Sequence, residues 1–157
     1  GSAEEVRRMD SQGKGAQGRV LVARRLASAI APIASRLVEL GTEYSSSLRS
    51  MDTGVRTIIS QATAKSPLEG EARQSVCDFF QETRSLTSTS RNSIIYLAKL
   101  AESAKSMEGL SRDLRPPLRT LGTGINMFID GHSIMEAWTE LIDRTGIDCS
   151  AEGNPAS

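Results

Sequence analysis

Few residues in this chain could do chemistry, and they stand far apart. The first arrangement is Gly13-x-Gly15-x-x-Gly18, inside "SQGKGAQGRVLVARRLASAI" at 11–30. Glycines so spaced cradle a pyrophosphate when a buried strand leads into them and a helix leaves them within a βαβ unit. Here the preceding "AEEVRRMDSQ" is charged and helix-like, and no second strand follows. Glu39 falls near the distance at which an acid would meet a ribose, but inside a helical pattern. No G-K-[ST] occurs, so the P-loop reading fails as well. The glycines read as a linker ahead of the first helix, and no cofactor is expected.

His132 is the only histidine. His132 and Glu136 share a helical face at i, i+4, with Asp130 near. A metal needs three or four ligands and no other local group supplies them. No nucleophile elbow or other catalytic signature accompanies the histidine. The expectation is a hydrogen-bonded or exposed side chain, no metal, and no enzyme. Cys77 and Cys149 fit no metal spacing, and one pair is not a disulfide framework. They are read as an inert, partly buried thiol within a helix and a thiol in a loose tail. That reading weakly favours an intracellular, reducing location.

Two further stretches invite a binding role. Arg7, Arg8, Lys14, Arg19, Arg24 and Arg25 form the densest basic run, beside the apolar "LASAIAPIAS" at 26–35. Such a juxtaposition can lie on an anionic membrane, with Arg19, Arg24 and Arg25 as contacts; the plainer reading is a helix with solvated arginines. In "LGTGINMFIDG", 121–131, glycines flank Ile125, Met127, Phe128 and Ile129. This is either an inserting tip or, more simply, core with a glycine for close packing. Trp138 is expected to anchor the last helix in the core.

The elements that must position these residues follow from apolar spacing. Leu26, Ile30, Ile33, Leu37, Leu40, Tyr44, Leu48, Met51, Val55, Ile58 and Ala62 step by three and four, a heptad-like stripe over about 19–65. Pro32 should kink or break that helix near Ala31. Ser66, Pro67 and Glu69 read as a capping box opening a second helix, 67–114. Its stripe passes through Val76, Phe79, Thr83, Leu86 and Ser90, with a polar middle, "TRSLTSTSRNS". That middle is a weak joint or a seam of small hydroxyls. Pro116-Pro117 should end it. A third helix, about 117–145, closes with Arg144 and Gly146.

Nothing alternates like a strand. The fold class is all-α: an elongated antiparallel bundle of two long helices and a shorter third, with a short N-terminal helix conceivable over "AEEVRRMD". Residues 1–18 are expected as a flexible segment, 19–146 as the bundle and 147–157 as a disordered tail. Gly1-Ser2 resembles a cloning scar, which allows for a chain cut from a longer, membrane-anchored one. No apolar run reaches the ~18–20 residues a span requires.

The net charge is zero, from 19 basic and 19 acidic residues. Ten basic and six acidic groups fall in 1–65, and two basic and six acidic in 116–157. Without an overall basic excess or interleaved aromatics, nucleic acid is not an expected partner. The leading expectation is a non-enzymatic interaction or scaffold module that self-associates or binds a partner helix. The length mismatch between the helices would leave a seam at Met51, Val55, Ile58, Phe79 and Phe80, and homodimerisation is its simplest resolution. The alternatives are a membrane-associated bundle on anionic lipid and a sensor bundle excised from a receptor.

Overall fold

The computed structural model describes residues 3–4 and 15–150. Three helices account for most of them: α1, Gly15–Gln61; α2, Gly70–Met107; α3, Arg115–Arg144. Among the described residues there is no strand. The all-α bundle is therefore the fold. α1 meets α3 through Ser45–Asp130 and Asp52–Trp138, and α2 meets α3 through Ser90–His132 and Arg84–Asp143.

Contacts divide the chain into two compact units, each drawing on all three helices. In the first (Gly1–Gly41 with Ala98–Asn126), Ala23, Ala104, Leu114 and Leu118 form the buried cluster, with Ala27, Ile30, Met107 and Leu121 against it. The fully buried residues of α1 here are small, Ala23, Ala34 and Gly41, with Ile30, Leu37 and Val38 half-buried beside them. Small residues let backbones approach. A Cβ on Gly124 of α3 would stand 2.9 Å from the Leu37 carbonyl carbon and the Val38 nitrogen. In the second unit (Thr42–Leu97 with Met127–Ser157), Leu48, Val55, Ile59, Ala62, Phe80, Trp138 and Ile142 make a larger aliphatic and aromatic core.

Several boundaries differ from the sequence expectation. α1 begins at Gly15, so Gly15 and Gly18 of the glycine pattern lie within helix; Gly13 lies outside the described residues. α1 also runs through Pro32 without a break. One missing N–H removes a single bond, to the Ser28 carbonyl, and the remaining turns carry the helix. The Ser66 hydroxyl accepts the Leu68 N–H at 3.4 Å, a local turn in place of the capping box. Helix starts only at Gly70, whose φ of 57° cannot sit inside a continuous helix.

α2 stops at Met107, well before 114. Pro116 and Pro117 open α3, where the N–H groups they lack have no helical partner anyway. Gly146, at φ 71°, and Arg144 close α3 as expected.

The length mismatch does not leave the hairpin end uncovered. Trp138 and Ile142 of α3 pack with Val55, Ile59, Ala62 and Phe80, and Ile147 and Cys149 follow them. After α3 ends the chain stays attached: Ala64 N–H donates to the Thr145 carbonyl at 3.1 Å, and Arg73 donates to that of Asp148.

Candidate functional site

The middle of α2 is rich in serine and threonine, and its inward-facing hydroxyls bond back to their own helix. Thr83 donates to the Phe79 carbonyl, Thr87 to that of Thr83, and Ser90 to that of Thr87. Such back-bonding lets hydroxyls face a helix–helix seam without leaving orphan donors. Thr139 of α3 reaches Thr87 at 3.2 Å. The polar middle is thus a hydroxyl-lined seam in an unbroken helix.

Ser90, His132 and Glu136 have the distances of a hydrolytic triad: Ser90 Oγ to His132 Nδ1 is 2.9 Å, and His132 Nε2 to Glu136 Oε1 is 2.8 Å. The Ser90 hydroxyl has two acceptors within reach. A general base must accept the nucleophile's proton. Ser90 Oγ lies 3.1 Å from the Thr87 carbonyl as well as 2.9 Å from His132 Nδ1, so the hydroxyl is shared between the backbone of its own helix and the ring. His132 is buried, and its Nε2 contact to Glu136 lacks hydrogen-bond alignment. The trio ties α2 to α3. Among the described residues no group of three or more histidine, cysteine or acidic side chains is placed to hold a metal.

On the α1 side, two carboxylates organise the seam. Asp130 accepts Ser45 Oγ at 2.7 Å and Arg49 at 2.7 and 2.8 Å. Asp52 accepts the Trp138 indole N–H at 2.7 Å and Arg56 at 2.8 Å. The Ser45 hydroxyl, then Arg49, lowers the Asp130 pKa; the Trp138 N–H, then Arg56, lowers that of Asp52. Both pairs line a cleft of about 350 Å³ with Ser133, Ile134 and Ala137. Each arginine there faces a carboxylate, so the cleft has no uncompensated charge to offer an ion. Burial raises the Tyr44 pKa. Its ring stacks on Phe128 at 5.4 Å between centroids.

The cysteine expectation is overturned. Cys77 and Cys149 form a disulfide across 72 residues of sequence, so neither is a free thiol. Their sparse number hid the pairing; the α2–α3 turn and the closing of α3 bring them together. With no free thiol left, the argument for a reducing location lapses.

The expected seam does not form one exposed strip. Val55 and Phe80 are core, Phe79 is half-buried, and only Met51 and Ile58 are exposed. The stretch around 121–131 is not an exposed tip: Ile125 is fully buried mid-helix, and Met127 and Phe128 are half-buried. Gly131 sits where a Cβ would meet the Tyr44 ring at 2.5 Å. Arg19, Arg24 and Arg25 are exposed, and Arg24 pairs with Asp113 at 3.3 Å.

Sequence reasoning missed a different face. In the first unit, Val22, Leu26, Ile33 and Leu40 of α1 are 56, 41, 63 and 38% exposed. Ala29 and Arg36, also exposed, fall between them. The six step by four, three, four, three and four, a heptad seam on the outside of the helix. The periodicity of α1 was visible, but not which flank of its broad apolar stripe faces inward.

No protein-family model, curated protein or solved structure matches this chain.

Proposed function

We propose that the chain is a non-enzymatic helical interaction module that docks through α1. One observation carries this reading: the inversion of side-chain size on α1 in the first unit. Ala23, Ala34 and Gly41 face inward while Val22, Leu26, Ile33 and Leu40 face water. Burying a large aliphatic side chain is worth roughly 1.5–3 kcal/mol. A helix that leaves four large aliphatics outside in heptad order forgoes that gain until a second helix covers them. The disulfide suits an oxidising compartment.

Ile33→Glu tests the reading. At concentrations where the chain is monomeric, the variant should keep the helical signal and the wild-type melting temperature, because Ile33 supports no core, while binding of an environment-sensitive apolar dye falls. Loss of the fold would place Ile33 in the core and end the reading.

A second reading draws on the start of α1, where Gln17, Val20, Leu21 and Arg24 line an apolar groove of about 410 Å³ near exposed Arg19 and Arg25. Basic residues beside exposed aliphatics suit an anionic lipid surface. Arg24 is already paired with Asp113, which weakens it. Among the described residues no helix is long and apolar enough to cross a membrane.

A further inference from the structure

We infer that the face along Val22, Leu26, Ala29, Ile33, Arg36 and Leu40 takes α1 of a second copy of this chain, laid antiparallel. This rests on the interaction-module reading and names its partner.

The first ground is self-complementarity. Turned antiparallel about a point beside Ala31, the face sets Val22 against Leu40, Leu26 against Arg36 and Ala29 against Ile33. Small meets large at the centre, and the aliphatic stem of Arg36 covers Leu26 while its guanidinium stays in water, held 3.0 Å from Glu39. An isologous interface needs a patch that fits itself under a two-fold rotation, and this one does. A parallel pairing would stack Ala29 on Ala29, Ile33 on Ile33 and Arg36 on Arg36, alternating gaps with collisions.

The second ground is charge. The first half of the face is flanked by Arg19 and Arg25, both exposed; the second half is flanked by the exposed Glu39. Antiparallel pairing places Arg25 opposite Leu37 of the second copy. Glu39 is then two residues away, about 3 Å along the axis. Parallel pairing would align Arg19 with Arg19 and Arg25 with Arg25. Like charges across a helix pair disfavour a register and opposite charges select it. From Val22 to Leu40 the face is about 27 Å long.

The test is sedimentation equilibrium of the whole chain, disulfide intact. The wild type should be a dimer. Ile33→Glu should weaken the dimer at least tenfold with helix content unchanged. Arg25→Glu and Glu39→Lys should each weaken it severalfold, and an equimolar mixture of the two should recover dimer, since each mixed contact again joins opposite charges. Under mild oxidation, Val22→Cys and Leu40→Cys should cross-link when mixed and not when alone. Cross-linking of each variant with itself would overturn the antiparallel arrangement. A dimer indifferent to Ile33→Glu would overturn the face. A monomer at every concentration would overturn the pairing, and so would a monomer that sediments with vesicles of anionic phospholipid. For a monomer, apolar-dye binding that Ile33→Glu abolishes leaves the interaction-module reading standing. Dye binding that is absent removes that reading too.

Discussion

Gly122 and Gly124 of α3 separate helix propensity from packing by the same substitution two residues apart. A methyl on Gly122 meets nothing within 4 Å. Gly122→Ala should therefore only gain propensity, about 1 kcal/mol in a helix interior. Gly124→Ala has the same gain available. Its Cβ, however, would lie 2.9 Å from the Leu37 carbonyl carbon and the Val38 nitrogen, and 3.1 Å from Leu37 Cβ. Carbon contacts rest near ~3.5–4.0 Å. Two of the three atoms are backbone, which no rotamer change moves, so the helices must separate by roughly 0.5–1 Å. Overpacking of this kind costs about 1–3 kcal/mol, and the separation also weakens the dispersion contacts around Ala34 and Ile125. The net expectation is that Gly124→Ala is destabilised by up to about 2 kcal/mol while Gly122→Ala is stabilised by about 1. At ~2–4 °C per kcal/mol for a chain of this size, the two melting temperatures should move apart in opposite directions. Urea unfolding followed by circular dichroism, with thermal melts beside it, reads the difference. If Gly124→Ala is as stabilising as Gly122→Ala, α1 and α3 do not approach through backbone here, and the account of why α1 turns its small residues inward collapses.

Three other outcomes follow from the same geometry. The Cys77–Cys149 bond closes a loop of 72 residues in sequence, which on chain-entropy grounds is worth up to about 4 kcal/mol. The double variant Cys77→Ala/Cys149→Ala should keep its helix content and lose stability toward urea; two thiols titratable in the unreduced, unfolded wild type would refute the bond. Asp52 and Asp130 have lowered pKa values in the folded state, so their contribution is complete above the ordinary aspartate pKa of about 3.9 and is lost as pH falls through the folded values. Trp138 fluorescence should therefore report weakening below about pH 4, and Asp52→Asn/Asp130→Asn should flatten that dependence; an unchanged acid limb would show the carboxylates to be bystanders. Ile125→Ala should cost about 2–5 kcal/mol as a core truncation, against little or nothing for Ile33→Ala in the monomer, and equal losses at the two sites in chemical unfolding would contradict their opposite burial.

What could be read from the sequence was periodic. The three- and four-residue steps identify all three helices, and Arg144 with Gly146 marks where the last one stops. What could not be read was conditional on neighbours. Pro116-Pro117 breaks a helix that precedes it and suits a helix that follows it; the chain turns over Gly109–Leu114, so the second rule applies. Ser66, Pro67 and Glu69 have the types of a capping box, but Gly70 takes a left-handed φ that moves the start three residues on. The cysteine pair follows from the antiparallel return of the chain rather than from any spacing. A lone histidine in this pattern points to a hydrogen-bonded or exposed side chain; His132 is buried and bonded to Ser90, which is 42 residues away and which nothing local names. Most consequential is the apolar stripe of α1. Its heptads are plain, but it is wider than the surface α3 covers. Close approach at Gly124 favours Ala34 and Gly41 on the inner edge, which turns Leu26, Ile33 and Leu40 to the outer one. A reading that sends the whole stripe inward misplaces Leu26, Ile33 and Leu40, while Ile30 and Leu37 of the same stripe are half-buried as it expects.

The two units hold together by different means, and that difference bears on why an exposed face persists. In the second unit a core of Leu48, Val55, Ile59, Phe80, Trp138 and Ile142 is reinforced by a disulfide and by satisfied polar pairs. Each such pair adds only about 0.5–1.5 kcal/mol net but specifies which residues meet. The buried cluster of the first unit is two alanines and two leucines. By the number and size of its residues it is the poorer of the two, yet its own α1 carries Val22, Leu26, Ile33 and Leu40 unburied. Turning that face inward would require α1 to stand further from α3, removing the backbone approach at Gly124. The small inner edge and the large outer edge are thus two sides of one arrangement. The first unit gives up part of its own burial, and a second copy laid across α1 would restore it. On this argument association and local stability are linked: dimerisation should raise the protection of α1 amides around 22–40 against hydrogen exchange and leave the amides around Trp138 unchanged. Equal protection at both places in the dimer and in the Ile33→Glu monomer would show that the face is not where that stability is recovered.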